Sequence, residues 1–299
     1  MRKTILISGG TGFLGYHLAK KALKKKLKVI SISKNDPPKN RILKNVKYIK
    51  VNVCHLKDIK KKLNMNFEYV VNLSGYVDHS NKIKTYKSHY IGLKNLVKVC
   101  LNKKIEHFIQ IGSSMEYGRT AVPQEENFYC RPASVYGKAK YLSSKYLLRL
   151  NKKNNFPATV LRLYQIYGPN QDLNRFIPVI IDACRKNEEF PCSNGEQNRD
   201  FLYVDDFVRA VFLSINNHRA IGKIINIGSG KPLKIKKIIQ KIVRFYKKGK
   251  PLFGKIKLRK EEMCTTYPDI SKAKMMLKWK PIISFNKGLL RTVRYYNES

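Results

Sequence analysis

The sequence predicts an α/β fold in which a doubly wound parallel sheet carries helices on both faces. Three observations predict it. Short apolar runs alternate with stretches of helical periodicity through the first half of the chain. A glycine cluster follows directly on the first run and opens the first helical stretch. At 299 residues and 43% hydrophobic content, the chain can build a large core and a smaller lobe besides.

The elements follow in order. Thr4 to Ser8 is an apolar run of the kind buried in parallel sheets. A helix is expected from about Phe13 to Lys25. Lys28 to Ser33, Tyr48 to Val53 and Tyr69 to Ser74 read as the second, third and fourth strands. Ile91 to Leu101 has helical spacing, His107 to Gly112 is a fifth strand, Tyr136 to Leu150 a helix and Ala158 to Leu163 a sixth strand. Beyond Gly168-Pro169 the regularity weakens. Helices are expected at Phe176 to Arg185 and Asp205 to Ile215, a turn-rich stretch at Phe190 to Asn198, and a strand at Ile224 to Ile227. Ile235 to Ser299 mixes helices with loops. The expected division is a main unit over 1–168, to which 205–230 returns, and a smaller, mostly C-terminal α/β lobe from 169–204 and 231–299.

Composition narrows the function. No stretch reaches the roughly 20 apolar residues of a membrane span, and the run after Met1-Arg2-Lys3 is too short for a signal-peptide core. A cytoplasmic protein is expected. The six cysteines contain no CxxC pair, so no metal is expected and the thiols read as scattered and reduced. The formal charge of +41 comes mostly from lysines on predicted solvent faces, such as Lys20-Lys21-Ala22-Leu23-Lys24-Lys25-Lys26. Arginine, with its bidentate geometry, is the commoner reader of nucleic acid. The charge therefore reads as a solvated surface without a specific nucleic-acid partner.

Gly9-Gly10-Thr11-Gly12-Phe13-Leu14-Gly15 sits at a strand–turn–helix junction. Glycine lets the backbone turn sharply against a pyrophosphate, and the helix N-terminus offers free amides and a positive dipole. This is a Rossmann-type dinucleotide site. The spacing of Gly9, Gly12 and Gly15 resembles the TGxxGxxG fingerprint of the short-chain dehydrogenase/reductase superfamily. An acid at the end of the second strand would hold the ribose 2′-hydroxyl of NAD. Ser33-Lys34 stands there instead, a hydroxyl and a cation that suit the 2′-phosphate of NADP, with Asp36 just beyond. NADP is the preferred cofactor and NAD the alternative. The resemblance places Asn52 and Val53 by the adenine, and Leu73, Ser74 and Gly75 at the end of the fourth strand along the cofactor.

Tyr136 and Lys140 are i and i+4 on a helix, so they share a face. A free phenol has a pKa of about 10, and a nearby ammonium is expected to lower it enough for proton transfer with a sugar hydroxyl or carbonyl. Lys140 would also hold the nicotinamide ribose. Gly112 to Gly118 resembles the SSxxVYG segment of extended family members. The register puts Ser113 on the catalytic serine/threonine, with Ser114 as the neighbouring alternative and a substrate contact. In the sugar 4,6-dehydratases of the family the next two positions are Asp-Glu. Here Ser114 and Met115 stand there, which argues against water elimination. Glu116 occupies a position where relatives hold an apolar residue.

Leu161 to Pro169 resembles LRxxNVYGP, with Gln165 replacing the asparagine that contacts substrate. Gly195 to Asp206 resembles GxGxQxRDFxYVDD. Arg199 is then the foremost phosphate contact, with Arg175 and Arg259 as further candidates. The sequence is identified as similar to the extended short-chain dehydrogenase/reductase family over nearly its whole length. The segments around Arg162 to Asp172, Arg175 to Pro178 and Gly195 to Gln197 resemble 4-ketoreductases of the CDP-abequose type. The resemblance implies a homodimer, helices near 91–103 and 136–150 forming its interface, and an enzyme acting at C4 of a nucleotide-diphosphate sugar. Reduction of a 4-keto-6-deoxyhexose is the first expectation and 4-epimerisation with retained NAD the second. A non-catalytic dinucleotide sensor or RNA-binding relative is a rival of another class.

Overall fold

The computed structural model describes residues 2–78, 80–258 and 262–298. Its main sheet has seven strands: β1 (Thr4–Ser8), β2 (Lys28–Ser33), β3 (Val46–Lys50), β4 (Tyr69–Asn72), β5 (His107–Ser113), β6 (Ala158–Leu163) and β10 (Ile224–Ile227). They lie in the order β10-β6-β5-β4-β1-β2-β3, and every neighbouring pair is parallel. The chain runs one way from β1 through β2 to β3 and the other way from β4 outward. This reversal opens a crevice at the carboxyl ends of β1 and β4, where ligands bind in doubly wound sheets.

The connections are helical: α1 (Phe13–Lys24), α2 (Leu56–Lys62), α3 (Lys82–Tyr86), α4 (Gly92–Cys100) and α5 (Val135–Asn154). Alternate residues of β1 serve opposite faces of the sheet. Ile5 and Ile7 join one core with Leu18 of α1, and Leu6 joins the other with Ile30, Val70 and Phe108. Burying such a side chain contributes on the order of 2 kcal/mol. The serine–valine sequence at the start of α5 sets its first turn, because Ser134 Oγ accepts from Gly137 N at 3.0 Å.

The later chain supplies β7 (Gln165–Tyr167), α6 (Phe176–Lys186), β8 (Glu189–Pro191), β9 (Asn198–Tyr203), α7 (Val204–Ile215), β11 (Pro232–Lys234), α8 (Ile235–Tyr246), β12 (Lys250–Leu252), β13 (Thr265–Thr266), α9 (Ser271–Leu277) and α10 (Phe285–Glu298). β11, β9 and β13 form a small sheet that β7 joins on β9, and β12 pairs with β8. The C-terminal segment is tied to α7 through Asp206. Its carboxylate, 1% exposed, accepts from the amides of Ile282 and Ile283 at 2.9–3.1 Å, while its carbonyl accepts from Trp279 Nε1 at 3.0 Å.

Three expectations shift. The third strand occupies Val46–Lys50 rather than 48–53, because beyond Val51 the chain turns and His55 N donates to Asn52 O. The helix expected from Ile91 is preceded by a wide π turn over Lys87–Ile91. Gly92 then packs flat on Val53, where an added Cβ would lie 2.6 Å from Cγ2. The turn-rich stretch after Phe190 begins inside a short strand, β8.

Candidate active site

The glycine turn lies at the mouth of the crevice. Gly9 has φ +78°, and a Cβ there would come within 2.9 Å of the backbone of Leu73 and Ser74. A Cβ on Gly15 would lie 2.5 Å from Gly10 Cα. Gly12 caps α1 without a side-chain bond, and the first turn carries no acid. The amides around Thr11, Phe13 and Leu14 thus face no competing anion of their own helix, which suits a pyrophosphate. The residues present fit a dinucleotide.

At the end of β2, Ser33 Oγ donates to Ile32 O at 2.7 Å and accepts from Thr11 N at 3.3 Å. Lys34 is exposed, and Asp36 pairs with Lys50 at 2.9 Å. Asn52 turns its amide oxygen onto Cys54 N at 3.0 Å, beside the buried Val53. Ser74 Oγ donates to Asn72 Oδ1 at 2.6 Å, which fixes the loop through Leu73 to Gly75.

Ser113 ends β5, 7% exposed, and its hydroxyl hydrogen-bonds the phenol of Tyr136 on the first turn of α5. One turn on, Lys140 is buried. Its ammonium donates to Ile111 O at 2.7 Å and lies 5.9 Å from the centre of the Tyr136 ring. The structure thus brings Ser113, Tyr136 and Lys140 together at the carboxyl end of the central strands.

The electrostatics differ from the sequence expectation. Burial raises the Tyr136 pKa; the Ser113 hydrogen bond opposes this, Glu116 adds to it and Arg175 opposes it. Lys140 is not among the groups that lower the phenol. Its own pKa falls from 10.5 to about 8, because burial disfavours its charged form, with Glu116 opposing. Burial sets the direction at the phenol in this arrangement, so the expected lowering of the phenol by Lys140 is corrected.

Two neighbours were not foreseen as part of the site. Glu116 is fully buried and accepts from Ser113 N at 2.9 Å, Ser144 Oγ at 2.7 Å and Arg162 Nε at 3.0 Å. His89, within the π turn, meets the Tyr136 ring edge-on with centroids 4.9 Å apart and occupies the space a Cβ on Gly75 would need. Glu116 stands out in the sequence only as a departure from the family pattern.

The substrate candidates divide. Arg175, at the N-terminus of α6, acts on the Tyr136 phenol and so belongs to the same site. Ser114 opens the turn after Ser113. Gln165 is exposed on β7, on the strand beside Arg199 of β9. Arg199 is already engaged by Glu262 at 2.6 Å and by the carbonyl of Asn198 at 2.7 Å. Arg259 lies outside the described residues. Among those residues no helix is long and apolar enough to cross a membrane, and no group of three or more His, Cys, Asp or Glu is placed to hold a metal ion.

The family model described as NAD dependent epimerase/dehydratase family matches residues 5–228. The chain belongs to that family. This epimerase/dehydratase-family enzyme is 28% identical over 306 residues to a putative UDP-glucose 4-epimerase of Methanocaldococcus jannaschii, covering 97% of each chain. It is 26% identical to the UDP-glucuronate 4-epimerase of Thermodesulfobacterium geofontis, covering 98% of this chain and 96% of the relative. Its fold matches the UDP-glucose 4-epimerase of Thermotoga maritima solved with UDP-glucose, with a TM-score of 0.92, 24% identity and 99% of each chain covered. It also matches the UDP-glucuronic acid 4-epimerase of Bacillus cereus solved with UDP-glucuronic acid and NAD, with a TM-score of 0.89, 24% identity and 99% of each chain covered.

Proposed function

We propose that this enzyme is a 4-epimerase of a nucleotide-diphosphate hexose, working with a retained nicotinamide dinucleotide. The observation that carries the reading is the hydrogen-bonded Ser113–Tyr136 pair beside Lys140, with the adjacent carboxylate of Glu116 turned inward and fully engaged. A dehydratase needs an acid and a base facing the sugar. Ser114 and Met115 occupy those positions, and Glu116 is fully buried and bound to Ser113, Ser144 and Arg162. The names of the relatives favour epimerisation over the reduction that the sequence alone suggested first. The intact catalytic set weighs against a purely non-catalytic role.

A bound nicotinamide dinucleotide would supply a hydride acceptor and donor beside the sugar C4. Gly9, Gly12 and Gly15, with the amides at Thr11, Phe13 and Leu14, would hold its pyrophosphate. Ser33 and Lys34 would face its adenosine ribose, Asn52 and Val53 its adenine, and Leu73 to Gly75 its path toward Tyr136. Tyr136 takes the proton of the C4 hydroxyl and later restores it. Ser113 hydrogen-bonds the same oxygen and steadies the phenol. Arg175 draws the phenol pKa down against burial. Lys140 is held by Ile111 O, facing the Tyr136 side of α5, and would grip the nicotinamide ribose. Arg175 and Arg199 would take the diphosphate, Arg199 after exchanging Glu262 for phosphate. Gln165 and Ser114 would flank the sugar, and Arg259 is retained as a third cationic contact.

The β2 end has no free carboxylate to repel a 2′-phosphate, which supports acceptance of both NAD and NADP. Helices α4 and α5 are proposed as the surfaces of a homodimer. The test is to denature the purified protein and assay released dinucleotide, then incubate the native enzyme with UDP-glucose, UDP-glucuronate and their dTDP and CDP counterparts. Proton NMR of the sugar reads inversion at C4. Epimer formation without added cofactor supports the reading. Product formation only with stoichiometric consumption of added reduced cofactor restores the reductase.

A further inference from the structure

The charge buried behind the catalytic pair is the feature this function leaves unused. Glu116 replaces an apolar residue of the family pattern with a carboxylate that is 0% exposed. It is tied to three elements. Ser113 N donates to Oε1 at 2.9 Å, and Ser144 Oγ of α5 donates to Oε2 at 2.7 Å. Arg162 Nε of β6 donates to the same oxygen at 3.0 Å. Arg162 is itself 2% exposed, and its guanidinium lies 4.4 Å from the centre of the Tyr117 ring. Gly112 leaves the space for this arrangement, since a Cβ there would lie 2.5 Å from Glu116 Oε1.

A buried ion pair is a costly way to fill a core. An apolar pair of similar volume is often neutral or more stable. The pair here touches the residue that hydrogen-bonds the reacting phenol. We propose that Glu116 is a positioning residue for proton transfer, holding Ser113 through its backbone amide and tying it to α5 through Ser144 and to β6 through Arg162.

Two consequences separate this from simple packing. The carboxylate raises the pKa of both Tyr136 and Lys140, so its charge moves both titrations toward higher pH. Removing the charge must move both groups the same way, toward lower pH. The other ionisable groups around the carboxylate are Arg162 from β6, Tyr117 on the following turn, and Cys130 before α5, whose thiol is raised by burial. Arg175 acts on Tyr136 through its charge, and the His89 ring meets the Tyr136 ring edge-on. Neither Arg162 nor Cys130 is among the groups that move Tyr136 or Lys140, so the carboxylate acts on the pair directly.

The proposal rests on the epimerase reading for its kinetic consequence, and its test is chosen to stand apart from it. Tyrosine labelled with carbon-13 at Cζ reports phenol ionisation in the whole protein, and Tyr136→Phe identifies the Tyr136 resonance by its loss. Glu116→Gln is expected to lower the Tyr136 titration midpoint, because it removes a negative charge that disfavours the phenolate. The pH profile for epimerisation of UDP-glucose should move to lower pH with it. If Glu116→Gln does not fold, Glu116→Gln with Arg162→Met removes the orphaned guanidinium and should show the same downward shift. An unchanged midpoint in a folded variant overturns the proposal, whatever happens to the rate. A shifted midpoint in a protein that epimerises no sugar supports the role of Glu116 and sinks the epimerase reading alone.

Discussion

Replacing Lys140 by methionine should abolish turnover and make the enzyme more stable. Lys140 is buried, and its pKa in the folded protein is about 8 against an ordinary 10.5. At 1.36 kcal/mol per pH unit, holding this ammonium in the fold costs roughly 3 kcal/mol at neutral pH. Methionine has a similar length and no charge. Its substitution leaves Ile111 O without the donor now at 2.7 Å, an offset of about 1–2 kcal/mol. The net expectation at pH 7 is a gain of about 1–2 kcal/mol. The sign reverses with pH. Between about 8 and 10.5 the native wild type has released the proton that the unfolded chain still binds, so wild-type stability rises through that window. The advantage of Lys140→Met should therefore shrink as pH rises and be gone by about pH 10.5. Urea denaturation of both proteins at pH 7 and pH 10 reads the difference. A variant less stable than wild type at pH 7, or a difference that does not change with pH, would refute the reasoning.

Other perturbations test separate parts of the account. Tyr136→Phe should leave cofactor content unchanged, measured by dinucleotide released on denaturation, while kcat falls by about 10²–10⁴-fold. Gly15→Ala should empty the enzyme of dinucleotide, because its Cβ would lie 2.5 Å from Gly10 Cα; the same release assay decides it. Ser33→Asp should leave NAD binding within a few-fold and weaken NADP binding by at least tenfold, about 1.4 kcal/mol, by calorimetric titration of cofactor-free protein. Asp206→Ala should cost on the order of 3 kcal/mol in denaturant unfolding, because the amides of Ile282 and Ile283 and the guanidinium of Arg209 lose a buried acceptor.

The sheet was legible because each central strand is buried on both faces and reads as a continuous apolar run, as in Ile5-Leu6-Ile7 and Tyr69-Val70-Val71. The glycine turn and the Tyr136–Lys140 spacing were legible because backbone geometry and helix periodicity restrict both. Helix α8 was less so. Its buried stripe of Ile235, Ile238, Ile239 and Ile242 is regular, but lysines between them lower the overall apolar signal. Strands β8, β12 and β13 are two or three residues long, too short for alternation to appear. The sequence also could not show the sign of the electrostatics at Tyr136. That depends on how deeply the helix is packed and on Glu116, two of whose donors, Ser144 and Arg162, lie 28 and 46 residues further along the chain. The pairing of Arg199 with Glu262, 63 residues apart, was hidden for the same reason.

The central claim is that one site removes the hydrogen at C4 of a nucleotide sugar and returns it to the opposite face. A nucleotide sugar carrying deuterium at C4, incubated with the enzyme in ordinary water without added cofactor and followed by NMR, tests it directly. The account predicts C4-inverted product that keeps its deuterium, and no inversion with Tyr136→Phe. Inverted product that has lost the label to solvent, or reduction of a 4-keto sugar in place of inversion, would contradict it.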